Sequence, residues 1–80
     1  IDRIEFANAI ILTDDSFAIG HSLSSLNLES RRVSVVALRR DGAEIEEPDD
    51  NIVLKVQDTL VVRGKPRRVE RFERYMQEGR

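Results

Sequence analysis

Two adjacent arginines, Arg39 and Arg40, close the stretch VSVVALRRDG that begins at Val33. A guanidinium group presents a rigid fork of donors, and a pair of them can hold a carboxylate or a phosphate. Strand alternation places Arg39 on the face of Val33, Val35 and Ala37, and Arg40 on the face of Val36 and Leu38. Two tasks suit such a pair. Arginines can end a strand and keep a hairpin edge soluble. Alternatively, if Val36 and Leu38 meet a second copy of the chain, Arg40 stands at the rim of that seam and can take an anionic ligand such as a nucleotide phosphate. His21, the only histidine, has two readings as well. It is either a further ligand contact at the start of a short helix, where backbone N–H groups favour anions, or a polar residue in a capping turn.

Other charged groups form runs. Glu44, Glu46, Glu47, Asp49 and Asp50 are carboxylates suited to a hard cation, but their spacing matches no calcium loop. Alternate carboxylates along a strand are ordinarily its wet face. Arg63, Lys65, Arg67, Arg68, Arg71 and Arg74 make a basic patch. A nucleic-acid platform would combine a basic patch with a set of stacking rings, and a net acidic chain with four aromatic residues does not read as one. Pairing of Arg67 with Glu70, or of Glu70 with Arg74, along a helix surface is the simpler reading. Ser22, Ser24 and Ser25 cluster without a base to activate them, and no Gly-rich phosphate loop follows a strand. The chain therefore reads as a binding module and not as an enzyme.

Eighty residues form one domain, 1–80, with a marginal core. There is no cysteine to staple it, in keeping with a reducing compartment. Small domains of this kind gain stability by pairing or by attachment to a larger protein. The chain opens on Ile1, not Met, and reads as a piece of a longer polypeptide. Charged residues of both signs make up 35% of it and leave a net charge of −2, a balance that does not point to a polyanionic partner.

Those side chains need elements to hold them. In IEFANAIILT, residues 4–13, the run Ala9 to Leu12 reads as a strand. Asp14-Asp15-Ser16 is a turn. Ile19, Leu23 and Leu26 recur at helical spacing and predict about two turns of helix bounded by Gly20 and Asn27. Residues 31–40 form the strongest strand, apolar on both faces and so expected to be covered on both. Asp41-Gly42 predicts a tight hairpin into a strand from Ala43 to Glu47, which Pro48 ends. Ile52 to Gln57 alternates as a half-buried extended segment, Asp58 turns the chain, and Thr59 to Arg63 is a further strand. Pro66 suits the first position of a helix whose inner face is Val69, Phe72 and Met76, with Gly79 as its stop. The fold class is α+β: a small mixed or antiparallel sheet, a short helix after the first strand, and a C-terminal helix packed on one face. The second face, marked by Val36, Leu38 and Val61, is left for the short helix and a twin domain.

This order of blocks resembles the TrkA-C domain, also called RCK-C. The family pattern Gly-x-[Ser/Thr]-Leu-x-x-Leu-x-Leu is matched by Gly20-His21-Ser22-Leu23-Ser24-Ser25-Leu26-Asn27-Leu28. A hydrophobic strand ending in Arg-x-Gly is matched by Val35 to Gly42, and a following proline by Pro48. The last block, Leu-x-x-Gly-Asp-x-Leu-x-Val-x-Gly, is matched by Leu54 to Gly64, with Gln57 where the family has Gly. Glutamine in that place must enter positive φ at a cost. The arginine- and glutamate-rich tail and the start IEFANAIIL are similar to Kef-type cation/proton antiporters. The resemblance implies a cytosolic regulatory domain of a potassium or other monovalent-cation transporter, on the cytoplasmic side of the cell membrane. It implies a homodimer, a membrane transport domain as partner, and a small anionic ligand, with a nucleotide or cyclic dinucleotide as candidate. On that reading Arg39, Arg40 and His21 contact the ligand, Val36, Leu38 and Val61 form the dimer interface, and no nucleic acid is bound. The alternatives are a module that only dimerises its parent, and a nucleic-acid or protein adaptor working through the arginine-rich helix.

Overall fold

In the structure, a computed structural model, residues 6–80 are described. Ile1 and the Ile4-Glu5 start of the first strand segment lie outside the described residues. Four strands, β1 (Phe6–Ile11), β2 (Ser34–Arg40), β3 (Ala43–Glu46) and β4 (Thr59–Gly64), form one antiparallel sheet in the order β1-β4-β2-β3. Between β1 and β2 lie a 3-10 helix (Leu23–Leu26) and a single-turn helix α1 (Leu28–Arg31), and the chain closes on helix α2 (Pro66–Glu78). The α+β class and the element order follow the sequence reading, and the sheet is antiparallel throughout.

Local chemistry explains the joints. Asp41 and Gly42 both take positive φ, 53° and 79°, between the paired Arg40 and Ala43, as a two-residue hairpin loop requires. Asn27 ends the 3-10 helix at φ 55°, a backbone state that asparagine tolerates. Pro66 opens α2, and Gly79 at φ 82° closes it with its N–H donated to the Tyr75 carbonyl. Of the segment expected to be extended from Ile52 to Gln57, Ile52 to Lys55 joins no strand of the sheet, and Val56 and Gln57 already form the turn before Asp58. Its backbone bonds go instead to the loop before the 3-10 helix: Leu54 N–H to the His21 carbonyl at 2.9 Å, and Gly20 N–H to the Leu54 carbonyl at 2.9 Å. Leu54 is thereby buried, while Val53 and Val56 remain exposed.

The core is one-sided. Val69, Phe72 and Met76 of α2, Leu23 and Leu26 of the 3-10 helix, and Ile10, Leu38, Leu60 and Val62 of the sheet belong to one buried cluster. Each such side chain, fully removed from water, contributes about 1.5–3 kcal/mol before entropy is counted. Both helical pieces therefore cover the same face of the sheet. The short helix does not share in covering the other face, contrary to the sequence expectation.

A β-bulge in β2 corrects a second expectation. Val35 pairs with Val62 and Ala37 with Val61, so Val36 is an extra residue between them. An inserted residue shifts the alternation by one. Val35 and Leu38 both pack into the core, and Leu38 is fully buried at 0% exposure. Leu38 is therefore not on the uncovered face, and its place there is taken by Ala37. The register carries a row of small apolar side chains across the outer face, Ala9–Val61–Ala37, and next to it a row of Ile11, Thr59, Arg39 and Glu44. Ile11 is 62% exposed.

Candidate functional site

The bulge also decides where the two arginines go. Arg40 follows Leu38 on the inner side and turns into the molecule, where its Nε donates to Asp58 Oδ1 at 2.9 Å and its Nη2 to Asp58 Oδ2 at 2.6 Å. Nη2 also donates to the Val53 carbonyl at 2.8 Å. Asp58 is 1% exposed and takes one more bond, from the Lys55 backbone N–H at 2.8 Å. Burial pushes the Asp58 carboxyl up. The Arg40 fork, the Lys55 N–H and the charges of Arg40 and Lys55 outweigh that and hold it below the ordinary carboxylate value. The same hydrogen bond raises Arg40 further. The Asp58 backbone pins β1 as well, accepting the Leu12 N–H at 2.8 Å. Arg40 is thus a structural staple between β2 and the segment entering β4. Its Nε and Nη2 donors are taken up inside the domain.

Arg39 turns the other way. Its Nε donates to Glu44 Oε1 at 3.0 Å across the hairpin, with the two side chains 57% and 47% exposed. It stands at the edge of the outer face, beside the small apolar row. Val36 and Val61 are half-buried, and Val61 shares that face. His21 sits elsewhere, its ring 4.5 Å from that of Phe17, which also meets the Tyr75 ring at 5.4 Å. His21 Nδ1 is buried without a hydrogen-bond partner among the described residues. The structure does not gather Arg39, Arg40 and His21 into one site. Arg39 alone stays with the uncovered sheet face.

One concavity falls outside the site residues that the sequence marks. It is an open groove of about 710 Å³ lined by Leu23, Ser24, Asn27, Leu28, Glu29, Ser30, Arg32 and Asp50. Arg32 sits at φ 60° just before β2, where its backbone N–H closes α1 on the Glu29 and Leu28 carbonyls. The positive-φ positions Asn27 and Arg32 bracket α1 and keep it to one turn, and that abrupt double bend leaves the groove beside it. A size of several hundred Å³ suits a nucleotide-sized ligand. The sequence carried one signal for it, the Asn27 stop; the Arg32 bend has none, since arginine has no preference for positive φ.

The charged runs stay on the surface. Among the described residues no three His, Cys, Asp or Glu side chains are grouped to hold a metal ion. The described ion pairs are Arg39–Glu44 and Arg40–Asp58, so the Arg67–Glu70 and Glu70–Arg74 pairings expected along α2 do not form. No helix among the described residues is long and apolar enough to cross a membrane.

The sequence profile of the TrkA-C domain matches residues 9–77, nearly the whole of this architecture. The chain belongs to the TrkA-C domain family. No curated protein sequence matches it. Among solved structures it is similar to the RCK C domain of the potassium transport protein KtrA in complex with cyclic diadenosine monophosphate. That likeness has a TM-score of 0.78 and 24% identity, over 88% of this chain and 81% of that one. It is equally similar to the RCK_C domain dimer of S. agalactiae BusR in complex with c-di-AMP, with a TM-score of 0.77 and 25% identity, over 88% of this chain and 93% of that one. The GsuK channel bound to NAD shares the fold at a TM-score of 0.75 and 15% identity, over 95% of this chain but 14% of that one. In BusR bound to its busAB-promotor DNA, the match spans 35% of the longer chain. This TrkA-C domain thus shares its fold with the KtrA and GsuK domains, and at 25% identity it is similar to a BusR domain that is a dimer in complex with c-di-AMP.

Proposed function

We propose that this TrkA-C domain pairs with a second copy through the outer face of its sheet and takes a small anionic ligand of the cyclic dinucleotide class. Binding then favours one geometry of the pair and passes that preference to a linked domain for monovalent-cation transport. The observation that carries the reading is the apolar, partly exposed outer face. Ala9, Val61 and Ala37 form a row across three strands, with Ile11 beside it; Ala9 and Ile11 are exposed, Val61 is half-buried, and Ala37 is already buried at 6% exposure. Small side chains let a second sheet or helix approach closely, and the similar BusR domain is a dimer with c-di-AMP. Val36 and Val61 form the seam, and Arg39 at its edge supplies an anion contact by exchanging Glu44 for the ligand. His21 lies apart from this face and is left out of the ligand set.

The parent is proposed to be a Kef-type cation/proton antiporter, with this domain on the cytoplasmic side, from the likeness of the IEFANAIIL start and the arginine- and glutamate-rich tail. Ligand control then works only through unequal affinity for the two arrangements of the pair. A direct role in nucleic-acid binding is not proposed, since the rings set among the arginines of α2 are already engaged: Phe72 is buried in the core and Tyr75 packs against Arg31 and Phe17.

Sedimentation equilibrium of the wild-type chain and of Val61→Glu tests the pairing. The wild type should form a dimer at micromolar concentration and the variant should remain monomeric while keeping its circular dichroism. Thermal unfolding with c-di-AMP then tests the ligand, which must raise the midpoint if it selects the native state. A wild-type monomer at every concentration overturns the seam. A dimer that no cyclic dinucleotide stabilises leaves a purely structural module.

A further inference from the structure

A second, smaller cleft lies between α1 and α2, away from the outer sheet face. It holds about 160 Å³ and is lined by Ser30, Arg31, Arg68, Arg71 and Phe72. Three arginines line it, and among the described residues none of them is paired with a carboxylate. Arg31 is held in place from two sides. Its Nε donates to the Leu26 carbonyl at 3.0 Å, and its guanidinium carbon lies 3.5 Å from the centre of the Tyr75 ring. Stacking on an aromatic face and one backbone bond fix the plane of the fork and leave its terminal amino groups to other acceptors.

Charge at the start of α2 points the same way. A helix N-terminus carries partial positive charge and ordinarily has an acidic residue in its first turn. Here the first turn has none and instead holds Arg67 and Arg68, behind a Lys65 N-cap that makes no side-chain capping bond. Concentrating cations at the positive end of a helix lowers stability unless an anion is present. The arrangement is incomplete as it stands, and one small, highly charged oxyanion completes it.

We propose that the α1–α2 cleft is a seat for a phosphate monoester dianion, held by the Arg31, Arg68 and Arg71 forks with the Ser30 hydroxyl as a further donor. A dianion with three terminal oxygens offers each fork its own oxygen and twice the charge of a carboxylate. The cleft has room for one such group and its nearest waters. The seat does not depend on pairing of the outer sheet faces. The same chemistry occurs on a free solute and on a phosphatidate headgroup, so both sources enter the test.

Inorganic phosphate titrated into the chain, against chloride at matched ionic strength, is the first arm. Arg31 Nε–Hε resonances should shift saturably with millimolar phosphate, and the unfolding midpoint should rise above that in chloride. The double variant Arg68→Gln, Arg71→Gln should weaken phosphate binding by about tenfold or more, as expected for loss of charge-assisted bonds. Arg71→Gln alone, at an exposed position, serves if the double variant fails to fold. Vesicles of phosphatidylcholine with and without phosphatidate form the second arm: retention on phosphatidate alone assigns the lipid source, and a response to free phosphate without retention assigns a solute. Repeating the titration on Val61→Glu keeps the result separate from the seam, because the phosphate response should persist there. Equal responses to phosphate and chloride, an undiminished response in both arginine variants, or binding of duplex DNA without any phosphate response would each overturn the proposal.

Discussion

Arg39 and Arg40 are consecutive residues of one strand, each bound to one carboxylate, and they stand on opposite faces of the sheet. Arg40 meets Asp58 with two parallel bonds in a place where the carboxylate is 1% exposed. Arg39 meets Glu44 with one bond between side chains about half exposed. The chemistry of the two pairs is alike, and burial makes the difference. A buried carboxylate has no water to fall back on, so its partner is obligatory for the fold. An exposed pair gains little over hydration and can be exchanged for another anion. The inner face thus uses its arginine to hold the domain together, and the outer face keeps its arginine available.

The widest separation between the two pairs should appear on truncation. Arg40→Ala leaves the Asp58 carboxylate buried with only the Lys55 N–H, and should destabilise the domain by about 3 kcal/mol in urea unfolding. For a domain of this size that is a large share of its total stability. The double variant Arg40→Met, Asp58→Leu removes charge and partner together and should recover most of the loss. A double variant as unstable as the single one would mean that the fork's geometry, and not the unpaired charge, accounts for the cost.

Acid should discriminate the inner pair next. The folded Asp58 carboxyl is held below its unfolded value, which is near 3.8. A group depressed in this way binds protons more readily when unfolded, so its contribution is fully present above that value. It is lost as pH falls from there through the folded value. Stability curves recorded from neutral pH downward should therefore steepen below about pH 4. Asp58→Asn should flatten that acid limb. An identical acid limb in the variant would remove Asp58 as its source.

A smaller effect, in the opposite direction, is expected at the turn that delivers Asp58 to Arg40. Gln57 sits there at φ 77°, a state costly for any residue with a Cβ. Gln57→Gly should raise stability by about 1 kcal/mol, the strain relieved being partly offset by the greater freedom of glycine in the unfolded chain. A destabilised Gln57→Gly would show that the side chain does something there beyond tolerating the turn.

How much of this was legible in the sequence depends on the kind of signal each feature leaves. Helix α2 could be read from the spacing of Val69, Phe72 and Met76 between Pro66 and Gly79, because period and caps agreed. The Asp41-Gly42 hairpin was equally plain. The strained Gln57 turn was foreseen from a departure in one block. The bulge at Val36 was not legible: in VSVVALRR either alternation leaves apolar residues on both faces, so nothing in the pattern resists a one-residue slip. That single slip moved Leu38 into the core and exchanged the tasks expected of Arg39 and Arg40. Asp58 was read as a turn residue, since its partner lies 18 positions away and no local pattern links them. Helical spacing pairs Arg67 or Arg74 with Glu70 on the same helix and is silent on Arg68 and Arg71. The structure instead sets Arg68 and Arg71 opposite Arg31 of α1, a meeting of elements that spacing within one helix cannot report.

The exposed pair provides the finest test of the contrast. Arg39→Ala removes a bond whose two ends are both largely in water, so the unfolding free energy should change by less than about 0.5 kcal/mol. Salt should erase even that remainder, because screening at physiological ionic strength acts on surface charges. If Arg39 contacts the ligand at the seam, the variant should nonetheless lose most of the thermal shift that c-di-AMP gives the wild type, with the sedimenting dimer unchanged. Stability and ligand response would then separate at Arg39 and stay joined at Arg40, where unfolding removes both. An Arg39→Ala domain that keeps the full ligand shift would confine the outer arginine to protecting the hairpin edge, and the anion contact would have to be sought at Arg32 in the groove beside α1.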